Sequence, residues 1–143
     1  MELVAPDLSA KLRTADEVRR RKAALAACRF ALDRNSLNDP ILDGAFRELE
    51  GRRQPTALTR MTLEKLVQSL DEEYFELEEA TKAGRAPAEQ YLEAFRKART
   101  ANALYCALSF DSLGAATESI YEANAATEDL SGLRAAVLSV LGE

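Results

Sequence analysis

The sequence predicts an all-α protein, a single-domain antiparallel helical bundle of about five to six helices over residues 1–143, and three observations carry that prediction. Apolar residues recur at helical spacing nearly throughout, with no alternating pattern longer than a few residues. Helix start and stop signals punctuate the chain at Asp39-Pro40, Gly51, Gly84, Pro87 and Asp111. The composition, 47% hydrophobic and 30% charged in 143 residues, is that of one ordinary globular domain, long enough to bury about two thirds of its unfolded surface.

The elements follow in chain order. The start carries Glu2, Asp7 and Lys11 where a signal peptide needs an unbroken apolar run, and residues 1–13, ahead of the first expected helix, are expected to be a flexible N-terminal segment. Thr14 with Glu17 three residues on forms a capping box for a first helix ending near Arg34, with Val18, Leu25, Cys28 and Leu32 on one face. Asn35 to Asn38 is a linker. The segment around it, Asp33 to Asp39, lacks the glycine and terminal glutamate of a calcium loop and reads as a turn plus N-cap. Asp39 and Pro40 open a short helix through Ile41, Leu42, Ala45, Phe46 and Leu49, and a basic loop with Pro55 follows.

A long helix is expected from about Thr59 to Ala83. Its apolar positions Leu63, Val67, Leu70, Tyr74 and Leu77 step by four and three. Pro87 opens another to about Phe110, with Tyr91, Phe95, Ala98, Asn102 and Tyr105 on one face and its second half more deeply buried. Asp111 or Ser112 starts a helix of about fifteen residues, and Leu130, Leu133, Val137 and Leu141 mark the last one.

Residue types narrow the function. Histidine and tryptophan are absent, which removes Ser-His and Cys-His catalysis, histidine-ligated metals and the ExxH di-iron site of helical bundles. Cys28 and Cys106 are far apart, each set among apolar residues, and read as reduced core thiols in a cytoplasmic protein. No run is apolar and long enough for a membrane helix. The net charge of −5 is laid out in alternating blocks: residues 11–60 hold twelve Lys+Arg against seven Asp+Glu, and residues 61–80 one Lys against seven acids. Alternation of this kind suits neighbouring helices or the two halves of a homodimer pairing their charged rims, whereas a nucleic-acid binder needs an uncountered basic excess.

The acids concentrate in Asp71-Glu72-Glu73-Tyr74-Phe75-Glu76-Leu77-Glu78-Glu79. At about 100° per residue, Glu72, Glu76 and Glu79 lie opposite the apolar stripe and Glu73 on its shoulder, which makes a solvated acidic face. Carboxylates three or four apart can also grip a hard cation. The stretch Leu70 to Ala80, LDEEYFELEEA, resembles the first metal-binding motif, EExxE, of the MazG-like class of all-α nucleoside triphosphate pyrophosphohydrolases. That resemblance, over about residues 62–127, implies magnesium held by Glu72, Glu73, Glu76 and Glu93, with Glu73 and Glu76 nearest the chemistry. It implies activation of water to cleave an α–β phosphoanhydride. It departs from the family where ExxD is due: Arg96 follows Glu93, so activity would be changed or lost, leaving a nucleotide-binding relative. Glu122 and Asn124 match the later acidic and asparagine-containing segment loosely, without the basic residue expected after them. Glu93 also has a structural role open to it, pairing with Arg96 or Lys97 along its own helix.

Three further groups are candidates. Arg21, between Val18 and Leu25 in the heptad, is either a ligand for phosphate or carboxylate or a stem that packs while its head reaches solvent. Asn102 sits on a predicted seam as a packing polar group or ligand contact. Tyr74, Tyr91, Tyr105 and Tyr121 come from expected core-facing positions. The leading expectation is a small cytoplasmic, non-catalytic binding or regulatory module. The alternatives are the magnesium-dependent pyrophosphohydrolase and an immunity or adaptor protein with an acidic interaction helix.

Overall fold

The computed structural model describes residues 5–35, 37, 39–51 and 56–142. Pro55, Ser36, Asn38 and Glu2 of the expected loops and leader lie outside them. The described residues form seven α-helices and no strand: α1 Pro6–Thr14, α2 Glu17–Asn35, α3 Pro40–Glu50, α4 Ala57–Lys82, α5 Ala88–Ala107, α6 Ser112–Thr127 and α7 Leu130–Val140. The all-α expectation holds, with one helix more than the highest count expected.

That extra helix is α1, in the segment expected to be flexible. Pro6 in its first turn supplies the helical φ, and Leu8 and Leu12, one turn apart, are fully buried. A capping box at Thr14 is thereby lost, because Thr14 ends α1 and its hydroxyl donates back to the Lys11 carbonyl at 3.1 Å. Asp16 caps α2 instead, accepting from the Arg19 amide at 2.8 Å. Asp39, Asp111 and Asp129 accept from amides of the first turns of α3, α6 and α7, as such residues do wherever a helix leaves amides unpaired. Gly84, at φ 74°, takes the left-handed conformation that terminates α4.

At the centre, α5 packs against α6, α4 and α2, and α2 packs against α6, α5 and α7. α4 lies at the edge, meeting α5 and, to a lesser degree, α3. Alanine makes the central seams: Ala23, Ala24, Ala27 and Ala31 on α2, Ala98, Ala101, Ala103 and Ala107 on α5, and Ala115, Ala116, Ala123 and Ala126 on α6 are buried. Small side chains let helix axes approach toward the short end of the usual ~8–10 Å range. Leu63, Leu104, Leu108, Ile120, Leu133 and Val137 fill the space left between them.

The expected faces therefore shift. Val18 is 50% exposed, because the α2 contact face is centred on its alanines. On α5 the buried set runs through Ala94, Ala98, Thr100, Ala101, Ala103, Leu104 and Ala107, leaving Tyr91, Asn102 and Tyr105 half-buried on its flanks. Tyr121 is exposed, not core-facing.

Candidate functional site

The apolar stripe of α4, with Leu63 and Val67 buried and Leu70, Tyr74 and Leu77 half-buried, faces α5. This turns Glu72, Glu73, Glu76 and Glu79 to solvent, where all four are exposed and none pairs with a described cation. Their neighbours in the run are used structurally: Glu78 accepts from the Tyr74 hydroxyl at 2.9 Å and lies 3.7 Å from Lys82, and Asp71 meets Arg99 of α5. Tyr74 holds an aromatic cluster with Phe75, Tyr91 and Phe95, ring centroids 5.2, 6.2 and 5.2 Å away. Burial, and then the Glu78 carboxylate, pushes its hydroxyl pKa up.

The proposed metal set is not assembled. Among the described residues no group of three or more acidic or thiol side chains is placed to hold a metal ion. Glu93 is exposed on α5, 3.6 Å from Lys97, because the adjacent Ala94 and Ala98 occupy the buried face. Arg96, at the departure from the second motif, is exposed as well. Glu73 and Glu76, the expected chemical pair, are both exposed on α4.

Arg21 has a clear structural task. Its guanidinium donates to the carbonyls of Ser109 at 2.6 Å and Phe110 at 2.7 Å, with a longer contact to Ala107 at 3.4 Å. These carbonyls at the end of α5 lack helical partners, and a cation there also opposes the negative end of the helix dipole. Arg60 of α4 donates to the Leu108 carbonyl at the same end and lies 4.4 Å from the Phe110 ring. Arg20 does the same for α1, donating to the Leu12 and Arg13 carbonyls at 2.8 Å each. Arg20 and Arg21 of the arginine run thus close two helices. Asn124 is half-buried, makes no side-chain hydrogen bond among the described residues, and contributes its carbonyl to the Glu128 amide.

The structure gathers other polar groups that the sequence did not single out. Arg99 of α5 bridges Asp71 of α4 at 2.8 Å and Glu122 of α6 at 3.0 Å, joining three helices through one guanidinium. Its Nε is buried without an acceptor. Asn35, at the end of α2, donates to Thr100 Oγ1 at 3.0 Å and to the Ala31 and Ala126 carbonyls, so an amide from the expected linker ties α2, α5 and α6 together. Nothing in local spacing marks either residue, since their partners lie up to 91 positions away.

Beside Glu122 the groove between α5 and α6 opens into a cleft of about 330 Å³ lined by Asn102, Cys106, Thr117, Glu118, Tyr121 and Glu122. Asn102, expected on a buried seam, is half-buried and lines this cleft. Cys106 is reached from this cleft, and its thiol is pushed up to about 12 by burial and by the carboxylates of Glu118 and Glu122. Cys28, on α2, is fully buried and raised to about 12 by burial, with Cys106 nearby and Ser119 as a hydrogen-bond partner. Both shifts favour the protonated thiol over the nucleophilic thiolate. Compared with known proteins, the chain matches no family model, no curated protein and no solved structure.

Proposed function

We propose that this protein is a non-catalytic helical binding module, regulatory or adaptor in role, that engages a basic partner through the outer face of α4. One observation carries the proposal: Glu72, Glu73, Glu76 and Glu79 stand exposed and without described cations along one helix. Glu72–Glu76 is a like-charged pair at i, i+4, and Glu73–Glu76 and Glu76–Glu79 are pairs at i, i+3. Each such pair costs a helix about 0.2–0.5 kcal/mol. The last acids also stand near the negative end of the α4 dipole, which Lys82 alone offsets in the final turn. A basic surface laid along α4 removes both costs, and long-range attraction would steer it there.

The test is calorimetric titration with a lysine-rich helical peptide at low and at high salt. Wild type should bind, binding should weaken steeply with salt, and the Glu72→Gln/Glu76→Gln/Glu79→Gln variant should lose it. Binding that is indifferent to salt or to the triple substitution overturns the proposal. A parallel titration with magnesium or manganese and nucleoside triphosphates, read as pyrophosphate release, decides the alternative. Turnover there would restore the pyrophosphohydrolase reading and require Glu73, Glu76 and Glu93 to be gathered by an assembly.

We also expect a homodimer. Leu58, Met61 and Phe110 are exposed around Arg60, at the end of α4 away from the acids, and a second copy covering them would share a core. Sedimentation equilibrium of wild type against Leu58→Glu measures this: the expected result is a dimer that the substitution dissociates, and a wild-type monomer removes the expectation.

A further inference from the structure

The α5–α6 cleft is unrelated to the acidic face of α4, and its lining has a chemistry of its own. Asn102 and Cys106 stand one turn apart on α5, and Thr117, Glu118, Tyr121 and Glu122 occupy two successive turns of α6, so both walls are rigid helix. No other helix is needed to form it. At about 330 Å³ the space is at the small end of ligand pockets and suits a short chain rather than a drug-sized molecule.

Charge decides which short chain. Asp71 and Glu122 share the single guanidinium of Arg99, whereas Glu118, a hydrogen-bond partner of the Cys106 thiol, meets no cation among the described residues. Glu122 is only 13% exposed in its side chain and offers one oxygen to Arg99, so a second cation would find its other oxygen partly desolvated. The Asn102 amide makes no side-chain hydrogen bond among the described residues, leaving its carbonyl oxygen free to accept. The Tyr121 ring adds an aromatic face of the kind that attracts cations. Thr117 is already committed to the Leu113 carbonyl at 3.0 Å and forms wall rather than ligand contact.

We infer that the cleft between α5 and α6 binds the ammonium or guanidinium end of a short aliphatic chain, with Glu118, Glu122 and Asn102 accepting its N–H groups and Tyr121 covering its stem. The same end group occurs on a free polyamine-like cation and on a lysine or arginine side chain. The N–H donors distinguish either source from a cation held by charge alone.

The experiment is ¹⁵N-resolved NMR of the full chain titrated with agmatine, with Nα-acetyl-lysine amide, and with tetramethylammonium as a cation lacking donors. Agmatine or the lysine amide should shift the Asn102 side-chain amide and the backbone amides of residues 117–122, and tetramethylammonium should not. The tighter of the two binders assigns the source. Glu118→Gln, at an exposed position without an ion pair, should weaken binding about tenfold, the worth of one charge-assisted contact. Glu72→Gln/Glu76→Gln should leave it unchanged, which separates this site from the α4 surface. No saturable shift at millimolar ligand, shifts confined to α4, an equal response to tetramethylammonium, or full binding by Glu118→Gln each overturns the inference.

Discussion

Arg99 shows how much one side chain can settle. It holds Asp71 and Glu122 on two other helices, and all three side chains are more than two thirds buried. Replacing it with alanine leaves two partly desolvated carboxylates facing each other's helices, with an expected loss of about 2 kcal/mol, below the cost of breaking a fully buried pair because some solvent remains. Urea unfolding measures the loss, and a double-mutant cycle with Glu122→Gln should recover part of it. The thiols give a pH dependence whose sign is fixed. An unfolded cysteine ionises near 9.0, whereas folded Cys28 and Cys106 hold their protons to about 12. Folding therefore keeps protons that the unfolded chain releases. That contribution is full below about pH 9 and is lost as pH rises toward 12, at up to about 1.4 kcal/mol per pH unit for Cys28 and less for the part-exposed Cys106. Unfolding free energies at about pH 8 and about pH 10 should differ less in Cys28→Ala than in wild type.

At the scale of the element, the helix ends are built from matched pairs of residues. Asp111 accepts from the Leu113 and Gly114 amides, and Asp129 from the Gly132 amide at 3.0 Å. The glycines are part of the same device: a Cβ on Gly132 would lie 2.5 Å from the Asp129 carboxylate and 3.0 Å from the Phe30 ring. Gly132→Ala should accordingly destabilise by about 1 kcal/mol, the worth of the cap it displaces, although alanine is the better helix former. A thermal melt checks the sign. α1 is docked rather than self-sufficient, since nine residues are too few for an isolated helix in water. Leu8 and Leu12 anchor it to the core, and Arg134 of α7 pairs with Asp7, holding that carboxyl below its usual range. Leu12→Ala should cost about 2–5 kcal/mol by urea unfolding and raise amide exchange throughout residues 6–14.

For the molecule as a whole, stability and the α4 surface pull in opposite directions. Neutralising Glu72, Glu76 and Glu79 removes like-charge contacts and an unfavourable dipole, so the triple glutamine variant should be more stable than wild type by about 0.5–1 kcal/mol at low salt. The difference should shrink as salt screens the wild-type repulsion. Parallel urea titrations at two ionic strengths measure it, and a variant that is less stable would mean that these acids serve the fold.

The amino-acid sequence by itself determined the all-α class, the Asp39 cap, the stop at Gly84, the exposed register of Glu72, Glu76 and Glu79, and the deeper burial of the second half of α5. All of these rest on contacts within a few residues, where helical period and capping chemistry act directly. It did not determine which face of α2 is buried, because the helical period of the large apolar residues runs through Val18 while the seam is carried by alanines. Only the tertiary structure decided that Leu8 and Leu12 would draw α1 out of a leader, that Arg20 and Arg21 would close the ends of α1 and α5, and that Arg99, Asn35 and the α5–α6 cleft would join distant segments. Those outcomes depend on which carbonyls, carboxylates and apolar faces the packing leaves without partners, and that is a property of the assembled helices, not of any one of them.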